Sequence, residues 1–339
     1  MKKITYTVGF LIIALSLLLV FTGCEEKQDE CLEFVSNGDG TCDVSGIGTC
    51  TLENIVIPEI SPEGDRVSGI GNYAFKQCET ITSITIPDTV TRIGNYAFYG
   101  CASLKSMVIP DSVETLGMGA FYGCVSVTNV TLPSGLTGIS EDMFHGCNAL
   151  RHVTIPDGVT SIGNNAFYGC NSLVGVTLPH AVTSLGKGAF YGCCSISSLV
   201  IPEGLTSFGT DAFYQCTGLE KLYIKDLAAW CGSSFYNKAS NPLSYAHTLY
   251  LQGEAVVDLV IPEEVLEVKS NVFSYCTSIK TVTMFPGLLS IGVGAFYGCS
   301  EIEEVRFVGT KEDVKHISVG NSNDYLVDAD RVYGVQLPS

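Results

Sequence analysis

Seven cysteines, Cys78, Cys101, Cys124, Cys147, Cys170, Cys193 and Cys216, follow one another at intervals of 23 residues, and Cys276 and Cys299 repeat the interval. The text around them recurs as well: Asn95-Tyr-Ala-Phe-Tyr-Gly-Cys101, Asn165-Ala-Phe-Tyr-Gly-Cys170, Gly188-Ala-Phe-Tyr-Gly-Cys193. Self-similarity at a fixed short period is the mark of a stacked repeat. A unit this short cannot enclose a core alone, so each turn must hide its apolar edge against the next. The expected fold is a repeat solenoid, mainly β, with short parallel strands and short helical turns.

Each unit reads as a sequence of physical parts. After the Cys come apolar positions such as Leu104, Met107 and Ile109, the last two alternating as in a strand with one buried face. Pro87, Pro110, Pro133, Pro156, Pro179 and Pro202 then close the strand, because proline has no N–H to give a ladder. A second apolar pair follows, Val90/Ile93 or Val159/Ile162, and then Gly94 or Gly163, which is expected at positive φ at a corner. Ala-Phe-Tyr-Gly turns the chain back, with Phe as the large core filler and Gly at the exit of a short helical turn.

The repeat runs from residue 55 to 308, giving about eleven rungs and roughly 50 Å of stacked strands. One rung departs: 60 residues separate Cys216 from Cys276, and Gly253 stands where the intervening ladder Cys is expected. The surplus, a 14-residue insertion, is placed within Asp226–His247, which holds the only Trp. Residues 31–54 read as a capping hairpin about the turn Asn37-Gly-Asp-Gly40. Residues 309–339 read as a C-terminal cover, with Thr310 capping a short helix. Both ends need cover, since an open solenoid edge invites pairing.

Lys2 and Lys3 precede the apolar run Val8–Phe21, which as a helix rises about 21 Å and falls short of the ~30 Å bilayer core. It has the length of a signal-peptide core, and its end, Phe21-Thr22-Gly23-Cys24, resembles a bacterial lipobox. Residues 1–23 are therefore expected to be a lipoprotein signal peptide and Cys24 the lipidated residue. The polar stretch 24–30 then becomes a tether. The expected address is extracytoplasmic, anchored to a bacterial membrane through lipid only.

The repeat motif Leu-x-x-Val-x-Ile-Pro-x-x-Val-Thr-x-Ile-Gly-x-x-Ala-Phe-Tyr-Gly-Cys resembles that of the BspA-like (Treponema-type) leucine-rich repeat family, over about three quarters of the chain. The resemblance implies a right-handed leucine-rich-repeat superhelix displayed on the bacterial surface. It also implies adhesion to host extracellular-matrix proteins, to host cells or to other bacteria. A structural spacer or envelope-assembly component engaging bacterial surface proteins is the alternative; a glycan-active enzyme is a third.

Chemistry-bearing motifs are scarce. With 18 Lys+Arg against 35 Asp+Glu the formal charge is −17, which argues against nucleic acid as a partner. The five His lie in different rungs, and no HExxH, GxSxG or phosphate-cradling loop occurs. No enzyme, cofactor or metal site is therefore expected. The nine ladder Cys, Cys78 through Cys299, are read as buried thiols touching turn backbone rather than as disulfides, because stacked thiols point the same way at strand spacing. Near the front, a Cys42–Cys50 or a Cys31–Cys50 bridge remains open. Cys194 is expected to face away from its neighbour Cys193. What remains is surface. Outward strand positions supply a candidate binding face through Thr85, Thr131, His152, Thr154, Thr177, Lys221, Tyr223 and Thr283. The turn tyrosines Tyr99, Tyr122, Tyr168, Tyr191, Tyr214 and Tyr297 form a candidate aromatic ladder for protein or glycan partners.

Overall fold

The computed structural model describes residues 31–336 as a parallel β-solenoid of about 13 turns. Two rows of short strands run along it. In the first row Ser106–Val108, Asn129–Thr131, His152–Thr154 and Gly175–Val176 lie side by side, each residue opposite the one 23 positions on, as Val130 is opposite Val153. In the second row Gly138–Ile139, Ser161–Ile162, Ser184–Leu185 and Ser207–Phe208 keep the same register. The third side of each turn is the Ala-Phe-Tyr-Gly bend, stitched to the next turn by bonds such as Phe98 N–H to Ala120 O at 2.9 Å.

The core is a set of columns. Phe75, Phe98, Phe121, Phe144, Phe167, Phe190 and Phe213 are each at most 1% exposed and stack in an unbroken file, their ring centroids 5.1–5.6 Å apart. Beside them runs the expected file of thiols. From Cys101 to Cys216 each Sγ donates to the carbonyl of the Phe three residues before the preceding Cys, as Cys147 does to Phe121 at 3.1 Å and Cys193 to Phe167 at 3.2 Å. Cys299 does the same to Phe273 at 3.0 Å. Cys78 opens the file without a Phe carbonyl beneath it and is half-buried. Burial pushes the Cys147 and Cys216 thiols up to about 12, and holds those of Cys170 and Cys193 well above the ordinary cysteine value.

Four expectations are corrected. The corner glycines do not take positive φ. That conformation falls two residues later, at Tyr96 (φ 54°), Asp142 (φ 55°) and Asn165 (φ 50°). Gly94 is needed instead for close approach: a Cβ there would stand 2.6 Å from the Asn72 amide nitrogen of the turn before, and at Gly163 2.6 Å from that of Glu141. Between Gly71 and Gly209 Ser140 is the one exception, its hydroxyl donating to the Gly117 carbonyl.

The insertion, secondly, is divided. Leu222 is opposite Leu249, so the turn through Asp226–His247 is 27 residues long, only four over the period. It carries helices α1 (Leu227–Cys231, capped by Asp226) and α2 (Leu243–Ala246), with Trp230 buried between Phe208 and Phe235. The other ten residues are a hairpin, Leu249–Leu251 against Glu254–Ala255, leading into the strand Asp258–Val260. Gly253 (φ 89°) and Gln252 (φ 53°) form its two-residue turn, both at the positive φ such a turn demands. Gly253 is thus no ladder position. By register Leu243, fully buried and six residues before Leu249 as Cys216 is before Leu222, fills the thiol column.

The third correction concerns length: about thirteen turns stand where about eleven are expected. The segment past residue 308 adds a turn of its own, since Asp330–Tyr333 pairs with Glu304–Phe307 and Ser318–Val319 with Ser290–Ile291. Thr310 does cap a short helix there, α3 (Lys311–Val314), through a reciprocal pair with Asp313. At the front, strand β1 (Glu33–Ser36) folds antiparallel onto β2 (Thr41–Gly46), which joins the second row beside Arg66–Ile70. A disulfide joins Cys31 to Cys50, while Cys42 is a free buried thiol. The fourth correction, at Thr283, belongs to the binding face.

Candidate ligand-binding face

The first strand row presents alternate residues to solvent. Thr85, Thr131, His152, Thr154, Thr177 and Lys221 are all exposed, as are Ser106, Val108, Asn129, Ser198 and Val200 between them. Tyr223 is half-buried because its ring leans on Tyr250 of the next strand, centroids 4.9 Å apart. Thr283 does not belong with them: it is 2% exposed and Thr281 beside it 9%. Arg306, opposite Thr283 in the next strand, reaches back toward Thr281 and Asp258 and is paired also with Glu304. Its side chain lies across the threonines. The outward position was readable from the period, whereas the covering arginine lies one turn away and has no counterpart in the other turns.

Two shallow hollows lie on this face. One, about 620 Å³, is framed by Thr85, Asp88, Ser106, Val108, Asp111 and Thr131. The other, about 600 Å³, is framed by His152, Thr154, Thr177, His180, Val200 and Lys225. Gly175 stands at its centre, where neighbouring strands carry His152 and Ser198, and a side chain there would meet nothing. The two hollows match in size and oppose in charge.

The turn tyrosines form a stack, but not the one expected. Tyr99 lies over Tyr122 at 5.3 Å, and Tyr168, Tyr191 and Tyr214 continue it at 4.4 and 5.1 Å. His145 bridges the gap, parallel to Tyr122 at 4.3 Å and to Tyr168 at 4.6 Å. Its presence was legible in His145-Gly-Cys147, where His replaces the Tyr of the motif. Burial lowers the His145 pKa, and its Nδ1 has no hydrogen-bond partner. Tyr73 and Tyr96 add a second tier at the front, stacked at 5.3 Å, with Lys76 over the rings of Tyr73 and Tyr99. Tyr297 stands apart, edge-on to Tyr275 and covered by Lys238. In most of this column each ring face is taken by the next ring, so edges rather than faces meet solvent. A sugar stacks on a free ring face, which most rings of this column do not offer.

Cys194 is exposed and turned away from Cys193, as expected. Cys24 lies outside the described residues. Among the described residues no group of His, Cys, Asp or Glu is arranged to hold a metal ion, and no helix is long and apolar enough to cross a membrane.

The model of the BspA type leucine rich repeat region matches this chain in six copies, over residues 47–174, 138–249 and 246–321. Among solved structures, a leucine rich cell surface protein from Faecalibacterium prausnitzii A2-165 is similar, with 25% identity, a TM-score of 0.55 and 99% of each chain covered. A leucine-rich repeat protein from Bacteroides ovatus shares 22% identity over 89% of this chain and 77% of its own, at a TM-score of 0.49. No curated protein matches. With its 23-residue coils, its file of phenylalanines and the family model spanning most of its length, the chain belongs to the BspA-type leucine-rich repeat family.

Proposed function

We propose that this protein is a non-catalytic binding module, held at the bacterial surface by a lipid on Cys24, that engages proteins or glycans through its strand face. One observation carries the reading. From Thr85 to Lys221 the exposed side chains of the first strand row form a continuous field of hydroxyls, small apolar groups and few charges. Most of its backbone polar groups are spent in pairing between strands. Such a surface has area and side-chain variety for recognition. The family membership and the similarity to a cell surface protein support the address.

Binding of the purified protein to matrix proteins, mucins and cell-wall glycans tests the reading. Saturable binding that weakens when Thr131, Thr154 and Thr177 are replaced together by Glu is expected. Absence of binding to every one of them overturns the adhesion reading. The spacer alternative predicts crosslinks in the native envelope to bacterial surface proteins only. Cys24→Ser is expected to release the protein from the membrane fraction.

A further inference from the structure

The hollow about Gly175 reverses the sign of the molecule. The chain carries −17 overall, yet the hollow is framed by His152, His180 and Lys225, with no carboxylate among its lining residues. Lys221 stands exposed beside Ser198 on the adjoining strand, and among the described residues neither Lys221 nor Lys225 has an ion-pair partner. The hollow of similar size three turns earlier is framed by Asp88 and Asp111. A cationic spot on an anionic protein concentrates field where an anionic ligand docks.

We infer that this hollow is a subsite for an acidic glycan, the anionic group held by Lys221 and Lys225 and the sugar ring seated over Gly175. The inference rests on the binding reading above and narrows it. A glycan fits better than an acidic peptide for two reasons. The lining offers hydroxyls and imidazoles (Thr154, Thr177, His152, His180), which match the alternating donors and acceptors of a sugar. The floor is shallow, with no deep pocket for an apolar anchor side chain. The half-buried rings of Tyr223 and Tyr250, on the strands beyond Ser198, extend the row with an aromatic surface of the kind a sugar's C–H face packs on.

The test is binding of the full chain in detergent to arrayed glycans that are neutral, carboxylated or sulfated, with acidic peptides and matrix proteins alongside. Three variants accompany it: Lys221→Gln with Lys225→Gln, Gly175→Leu, and Asp88→Asn with Asp111→Asn as control. Gly175→Leu fills open space at an ordinary φ and leaves the fold intact, which circular dichroism verifies. Carboxylated or sulfated glycans are expected to bind, the stronger class naming the anionic group. Affinity should fall with added salt, drop tenfold or more in the lysine variant and in Gly175→Leu, and be unchanged in the control. Equal binding of neutral and acidic glycans, or indifference to both the lysine and glycine variants, overturns the subsite. So does capture of acidic peptides but no glycan. Retained binding of matrix proteins with no acidic glycan bound overturns the subsite and leaves the module standing; binding of nothing removes both.

Discussion

Between Phe75 and Phe213 each turn supplies a stacked ring, and almost every one adds a thiol bonded to the turn before and a glycine at the tight corner. From Asp226 to Leu259 none of the three is kept. Ala239 accepts the Phe213 amide just as Ala212 accepts that of Phe190, so the next residue, Ser240, stands where a Phe belongs. Leu243 takes the thiol position and Tyr236 the corner. Continuity is restored by an amide side chain: Asn241, fully buried, donates to the carbonyls of Asn271 (2.7 Å) and Val272 (2.9 Å) and accepts from Leu243. The comparison teaches that a regular turn is held by identical neighbours, while an irregular one needs a dedicated side chain to reach backbone the period no longer satisfies.

That contrast can be broken at several points. Phe144→Ala empties a site walled by two rings and should cost about 3–5 kcal/mol, the usual range for such a truncation. Ser240→Ala, at the same position of the irregular turn, should cost about 1 kcal/mol. Equal losses in chemical denaturation would show that the ring column is not what holds the regular turns. Asn241→Leu strands the Val272 carbonyl and the Leu243 amide, while the Asn271 carbonyl keeps the Ser274 amide and hydroxyl, and should cost about 2–3 kcal/mol, together with faster amide exchange at Phe273 and its neighbours. A loss below about 0.5 kcal/mol would mean that water or backbone replaces the amide.

The thiols sharpen the comparison through pH. Their folded pKa is raised by burial, so the folded state keeps protons that the unfolded chain gives up above its ordinary cysteine value. Stability conferred by a neutral ladder thiol is therefore complete below about pH 8.5 and declines as pH climbs toward 12, at up to ~1.4 kcal/mol per pH unit for each thiol. A denaturant midpoint flat from pH 9 to 11 would contradict this. Cys147→Ala should cost least, about 1 kcal/mol, because the Phe121 carbonyl it abandons still accepts the Cys124 amide at 3.1 Å. With a thiol reagent at pH 8, exposed Cys194 should react first and Cys147 only on unfolding.

The period alone made the architecture legible, because a recurring Cys, Phe and Pro at fixed spacing admits few arrangements other than stacked coils. It also led to the thiol bonds to turn backbone and to most of the exposed strand positions. What it could not give depends on contacts between turns. Gly94 looks like a turn residue in sequence and is a contact residue in space, since the reason for it is the Asn72 backbone one turn back. Thr283 carries the motif of an outward residue, and only Arg306 covers it. The divided insertion hid because 27 plus ten residues and 23 plus fourteen are indistinguishable by length.

From Cys101 to Cys216 every thiol bond points toward the amino-terminal neighbour, and each thiol asks of that neighbour only one phenylalanine carbonyl. A duplicated or deleted copy anywhere between Cys101 and Cys193 would find and offer the same handshake, so the array can lengthen or shorten by whole units without repair at the seam. The length of the solenoid can thus change in one genetic step, whereas the stretch built around Asn241 can be moved only as a block.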